Sequence, residues 1–205
     1  MRSVLGLLLA LSTAASAQAA DLTVFVRTAQ GKPVANAVVT AYPNGAYDKS
    51  RIRFSWPYRV SQHDLTFDPF VLIVPVGSEV SFPNQDSVRH HVYSFSPAKT
   101  FELKLYGQDE TRTVRFDRAG VVALGCNIHD QMSAFIVVVD TPFAAKTDAA
   151  GLATLRGMTG DQARLQIWHP YAKAKGNAVA QTASMTAGKV VVNLDLRPAP
   201  KHGAY

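Results

Sequence analysis

Short strand-like runs, punctuated by Gly, Pro, Asn and Asp, recur from end to end of this chain, while helical periodicity is scarce. DLTVFVRT at 21–28 alternates apolar and polar residues, GKP at 31–33 marks a turn, and AVVTAY at 37–42 reads as a second strand. Residues 43–58, rich in Pro, Gly, Ser, Arg and aromatics, read as a loop. FVLIV at 70–74 is apolar throughout, as a buried strand would be, and EVSF at 79–82 follows a Gly turn. HVYSF at 91–95, TVRF at 113–116, VVAL after Gly120 and AFIVVV at 134–139 continue the series. Thr100–Leu105 fits a strand or a short helical turn equally well. From 142 onward, TDAAGLATLRGMTGDQARLQIWHP repeats strand, Gly turn, strand; VVVNL at 190–194 is a last strand, and RPAPKHGAY reads as a loose tail. There are no heptads, low-complexity tracts or tandem repeats, so the expectation is an all-β fold.

The chain start sets the expected compartment. Met1-Arg2, an apolar run from Val4 to Leu11 and the small residues ASAQAA at 15–20 read as a secretory signal over 1–19. The apolar run is too short to span a bilayer, which takes roughly 20 residues. No second run of spanning length follows, so a periplasmic protein with no membrane span after signal removal is expected. Its 205 residues, 47% of them hydrophobic, are enough for one or two small domains with real cores. The formal charge of +6 drops by one when Arg2 leaves with the signal. Arg51, Arg53 and Arg59 sit among aromatics in RIRFSWPYR. In an exported chain this reads as a solvated, aromatic-anchored loop, and no nucleic-acid partner is expected.

Cysteine usage narrows the chemistry. Exported proteins usually pair their cysteines, but this chain has one, Cys126, which has no internal partner. It opens Cys-x-x-His-x-x-Met, formed by Cys126, His129 and Met132, between two strand-like runs. Singly, such residues are most often a buried small hydrophobe, a hydrogen-bonded imidazole and core filler. Together on one tight loop they offer a soft thiolate, an imidazole and a soft thioether. With a second histidine, that is the donor set of a mononuclear blue-copper electron-transfer site. NQDSVRHHVYSF at 84–95 offers the second histidine as His90 or His91. Neighbours in a strand face opposite ways; the alternation leans toward His91, which shares a face with Tyr93 and Phe95.

Zinc hydrolysis fits less well, because Met is a poor zinc ligand and no Glu stands near the loop as a base. His63 beside Asp64 lacks a nucleophile, His169 reads as a strand-end surface residue, and no nucleotide-binding or nucleophile-elbow fingerprint occurs. No catalytic residue is expected, and the chain reads as a non-enzyme.

FDPFVLIVPVGSEVSFPNQDSVRHHV and the Cys–Met loop resemble the cupredoxins, in particular those with shorter loops. HHVYSFSPAKTFELKLY with GVVALGCNIHDQM resembles the periplasmic cupredoxin-like proteins called methylamine utilisation proteins. The resemblance covers 60–141. It implies a Greek-key β-sandwich, one copper ion, and ligands His90, Cys126, His129 and Met132, with His90 falling on the family's first histidine. The family commonly has Asn after that histidine, where His91 stands here. Gly125 replaces a common aromatic before the cysteine, which predicts a more exposed copper or a more mobile loop. The flanks, VFVRTAQGKPVANAVVTAY and AAKTDAAGLATLRGMTGDQARLQIWHP, resemble a carboxypeptidase regulatory-like β-sandwich.

The resulting expectation is a sandwich from 21–58 and 142–197 with a cupredoxin domain, 59–141, inserted between its second and third strands. Trp168 and Tyr171 are expected to pack the smaller body. The function implied is single-electron carriage between redox partners such as a c-type cytochrome or a dehydrogenase. Copper delivery and a carbohydrate-contacting structural module are the alternatives.

Overall fold

The computed structural model describes residues 19–50 and 52–200. The segment expected to be a secretory signal, apart from Ala19, lies outside the described residues, as do Arg51 and His202. The first strands are β1 (Ala20–Arg27), β2 (Val38–Pro43), β3 (Ser61–His63), β4 (Thr66–Asp68), β5 (Val71–Pro75) and β6 (Ser78–Pro83). Then come β7 (His90–Ser96), β8 (Lys99–Tyr106), β9 (Thr111–Phe116), β10 (Gly120–Cys126) and β11 (Ser133–Val139). The last are β12 (Ala144–Lys146), β13 (Leu152–Met158), β14 (Gln162–Trp168), β15 (Ala178–Ser184) and β16 (Lys189–Asn193). The fold is all-β, and among the described residues no helix is long and apolar enough to cross a membrane.

The outer parts of the chain form two sheets, β13-β1-β16 and β12-β2-β14-β15. The middle forms a five-stranded sheet, β5-β11-β10-β7-β8, with two further pairs, β3-β4 and β6-β9. Each group of sheets encloses its own apolar cluster. Leu22, Val24, Leu155, Leu165 and Ile167 fill the first, and Val60, Phe82, Phe116, Leu124 and Ile136 belong to the second. The Thr147-Asp148-x-x-Gly151 turn ties the outer sheets together. Thr147 Oγ1 accepts the Ala37 N–H at 2.8 Å and donates to the Val34 carbonyl at 2.7 Å. Gly151 has φ +74°, and a Cβ there would collide with the Val26 carbonyl oxygen.

A third cluster joins the two groups of sheets. β5 and β11 run parallel and are covered on both faces, which is why FVLIV is apolar throughout. Leu72, Val74, Ala134, Ile136 and Val138 point into the second cluster. Val71, Ile73, Val137 and Val139 alternate to the opposite face, where Val38, Ala144 and Trp168 meet them. Trp168 stands edge-on to Phe135 at 5.5 Å, so it packs this seam rather than the interior of the outer sheets. Tyr171 tilts against Phe70 at 6.2 Å. The 52–60 loop is anchored here too: Phe54 and Trp56 stack at 4.6 Å, and Trp56 Nε1 donates to the Ile73 carbonyl at 2.8 Å.

Some elements differ from expectation. Lys99–Tyr106 is a strand, its partner being β7. The short hairpin β3–β4, and strands β12 and β15, are too brief or too polar to show periodicity. The tail is docked at its root, where the Arg197 N–H donates to the Tyr171 carbonyl at 2.8 Å. His169 is not a surface residue: it is 5% exposed, and its Nδ1 accepts the Tyr171 N–H at 3.2 Å. Burial pushes its pKa down to about 4, against a backbone hydrogen bond at Ala35 that favours the charged ring. Because the folded value lies below the unfolded one, the stability linked to His169 is present above about pH 6.5 and is lost toward pH 4. We expect His169→Gln to remove that loss. In urea titrations at stepped pH, the gap between the two stability curves should change by about 3 kcal/mol from pH 8 to pH 4. Parallel curves would show that His169 does not titrate with folding.

Candidate metal centre

The centre is built where the end of one strand meets the start of another. β7 begins at His90 and alternates, with His90, Val92 and Ser94 buried and His91 and Tyr93 facing outward. A register shift between His90 and Val92, against β8, marks a bulge beside the histidine pair. His90 is 0% exposed. β10 ends at Cys126 and pairs with β7 through Gly125↔Tyr93 and Cys126↔Val92. The Cys126 side chain therefore turns inward, on the face that His90 and Val92 share.

The loop after Cys126 returns the next donors to the same place. The Asn127 N–H donates to the His91 carbonyl at 3.2 Å, and the Met132 N–H to the His129 carbonyl at 3.0 Å. That second bond closes a tight turn. Cys126 Sγ lies 3.8 Å from His90 Nδ1 and 3.6 Å from His129 Nδ1. The three donor atoms lie within 4.8 Å of one another. Met132 is buried in the same apolar cluster as Cys126 and Val92. Two imidazole nitrogens and a thiol sulfur, with a thioether buried at the end of the loop, are a donor set that fits one copper ion.

His91 is not part of this group. Its Nε2 lies 2.9 Å from Glu102 Oε1, within ion-pair distance but out of line for a hydrogen bond. Where the resembling family carries an asparagine tether, the link between the two loops here is backbone: Asn127 N–H to the His91 carbonyl. Gly125 does not leave the cysteine strand open. A Cβ at Gly125 would stand 2.8 Å from Tyr93 Cζ, so the Tyr93 ring covers this glycine from the neighbouring strand. Cys126 is only 3% exposed.

Asp86 is the residue that sequence reasoning passed over. Its Oδ2 lies 2.6 Å from His90 Nε2. Burial works against its ionised form. Hydrogen bonds from His90 and from the Leu65 and Asp64 N–H groups outweigh that and hold the carboxyl below its usual pKa. An ionised carboxylate only accepts, so His90 Nε2 donates to it, and Nδ1 is the ring nitrogen left facing Cys126. The spacing Asp-x-x-x-His was the available signal. Asn84 shapes the corner: its side chain donates to the Val88 carbonyl at 2.9 Å and the Tyr106 carbonyl at 3.1 Å, and accepts the Asp86 N–H at 2.9 Å.

The β3–β4 hairpin packs against this corner. Its two-residue loop is Asp64-Leu65, with φ +51° and +54°, the left-handed pair that hairpins usually build from Asn-Gly. A leucine in that region is held at a cost of about 1–2 kcal/mol, whereas an aspartate enters it more readily.

No protein-family model and no curated protein match this chain. Parts of it are similar to solved structures. A copper-containing nitrite reductase from Thermus scotoductus SA-01 is 27% identical over 41% of this chain and 22% of its own, with a TM-score of 0.39. A purple cupredoxin from Nitrosopumilus maritimus is 22% identical over 40% of this chain and 98% of its own, with a TM-score of 0.36. A reduced Cu(I) form of an amicyanin variant is 17% identical over 49% of this chain and 98% of its own, with a TM-score of 0.38.

Gly125→Ala tests the cover on the cysteine strand. The new methyl meets only the far end of the Tyr93 side chain, which can rotate toward solvent. Stability should change by less than about 1 kcal/mol, the gain from replacing glycine at a compatible backbone position offsetting the ring's shift, while the tyrosine near-ultraviolet circular dichroism changes. A loss of several kcal/mol would mean that the strands themselves must move.

Proposed function

We propose that this chain is an exported cupredoxin that carries single electrons between redox partners in the periplasm. His90, Cys126, His129 and Met132 would hold one copper ion. The observation that carries the reading is the meeting of His90 Nδ1, Cys126 Sγ and His129 Nδ1 within 4.8 Å, in a largely buried place. When bound, copper supplies a one-electron couple at a thiolate-rich site. His90 and Cys126 are sealed in the core and fix the site from two strands, while the loop that bears His129 and Met132 closes it.

His129 is only partly buried, and its neighbour Ile128 is 48% exposed. This one-sided access supports His129 as the edge through which an electron leaves. Among partners, a c-type cytochrome or a dehydrogenase fits a carrier without substrate turnover. We further propose that 59–141 is the cupredoxin domain. It would be inserted in a carboxypeptidase regulatory-like sandwich made of 21–58 and 142–197. The separate apolar clusters and the pairing of β12 with β2 support that division.

Adding Cu(II) to the mature protein should give an intense visible band from sulfur-to-copper charge transfer, and Cys126→Ser should abolish it. A mutant that keeps its colour would overturn the reading. His90→Gly should lose the band and regain part of it with added imidazole, whereas His91→Asn should retain it.

Replacing Met132 with Leu should leave copper bound and raise its reduction potential, because a weak donor to Cu(II) is lost. An unchanged potential in voltammetry would remove Met132 from the ligand set.

A further inference from the structure

We propose that the β3–β4 hairpin is a positioning device for the first histidine: its two turn amides grip Asp86, which orients the His90 ring. The proposal rests on the reading of His90 as a copper ligand, and its first link can be tested without metal. The Asp64 N–H donates to Asp86 Oδ1 at 2.6 Å, and the Leu65 N–H to Asp86 Oδ2 at 3.2 Å. The latter oxygen is the one that faces His90 Nε2. Two successive backbone donors thus form a small anion-holding nest around the carboxylate.

The rest of the hairpin is stitched to the same segment. The Gln85 N–H donates to the Gln62 carbonyl at 2.9 Å, and Gln62 Nε2 donates to the Pro83 carbonyl at 3.2 Å. Gln62 itself is wholly buried, so the hairpin root is fixed while its tip reaches Asp86. The tip has the conformation this grip requires. Asp64 and Leu65 are both left-handed, although neither is Gly or Asn. Closing a two-residue hairpin calls for that left-handed pair, and in this turn it also aims two successive amides at one carboxylate. The chain of contact runs from the exposed hairpin tip through Asp86 to a ring that is 0% exposed. Asp64 and Leu65 are positioning residues, acting through Asp86 with their backbones alone.

The experiment begins with the metal-free protein. The Asp64 and Leu65 amides should exchange with deuterium slowly, despite their exposed position, and Asp86→Ala should abolish that protection. His90 should show a single tautomer, with hydrogen on Nε2, by ring-nitrogen chemical shifts. Leu65→Pro removes one amide and the left-handed turn, and should leave His90 in a mixture of tautomers. Asp64→Asn with Leu65→Gly keeps both amides and favours the turn, so the single tautomer should persist. Titrated with Cu(I) against a competing chelator, Leu65→Pro should bind roughly 10–100-fold more weakly, and the Asn-Gly variant as the parent does. Fast amide exchange in the parent, or a His90 signal unmoved by both Asp86→Ala and Leu65→Pro, would overturn the clamp. If the His90 signal responds as described but copper binds no form, the clamp stands and the copper reading falls.

Discussion

The donor group exists because β10 and β7 pair in one particular register. The register pairs Gly125↔Tyr93 and Cys126↔Val92 decide which way the thiol faces. Side chains alternate along a strand, so His90 and Val92 share the inner face, and Cys126 joins them there. A slip of one residue would send Cys126 outward and leave the imidazole buried alone. Gly125 lets the Tyr93 ring lie across the pairing, and the bond from the Asn127 amide to the His91 carbonyl extends it into the loop. Everything later in the loop inherits this register, including the turn that returns Met132 to the core.

Burying His90 completely requires that its ring have a partner whether or not a metal is present. Asp86 provides that partner. Asp86 is in turn satisfied by two backbone amides, and its own N–H by the Asn84 side chain. The polar network beneath the donor group is therefore continuous from a surface turn to the buried ring, and each link fixes the direction of the next. The apolar surroundings, Val92, Leu124 and Met132 among them, keep water from competing for these bonds.

Much of the fold was legible because burial leaves a period-two trace. DLTVFVRT and HVYSF gave their strands through alternation, and the unbroken FVLIV announced a strand covered on both faces. The Cys126, His129 and Met132 spacing was legible because one loop carries all three residues. The choice between His90 and His91 needed more than pattern. The strand's inner face at that point is chosen by pairing with β10, and the residues outside, Tyr93 and Phe95, are themselves large and apolar. Asp86 was missed because its role depends on a ring four residues away and on amides from a separate hairpin. His169 looked like a surface residue because nothing in IWHPY records that the chain doubles back over it. Tyr93 over Gly125 was equally invisible, since a cross-strand neighbour leaves no local signature.

The placement of the middle strands between β2 and β12 has a consequence for how the chain is assembled. Among the described residues β1 pairs with β13 and β16, and β2 with β12 and β14, so both wait for partners made after the middle strands. Closing β2 onto β12 spans on the order of a hundred residues, an entropic demand that falls once the intervening segment has collapsed. During synthesis the middle strands are complete before β13–β16 exist, and the seam formed by Val71, Ile73, Val137 and Val139 offers a ready surface for Val38. A chain extended only as far as Ala144 would thus carry every strand of the middle sheets and yet leave β1 and β2 without β13, β14 and β16, which lie in the final sixty or so residues.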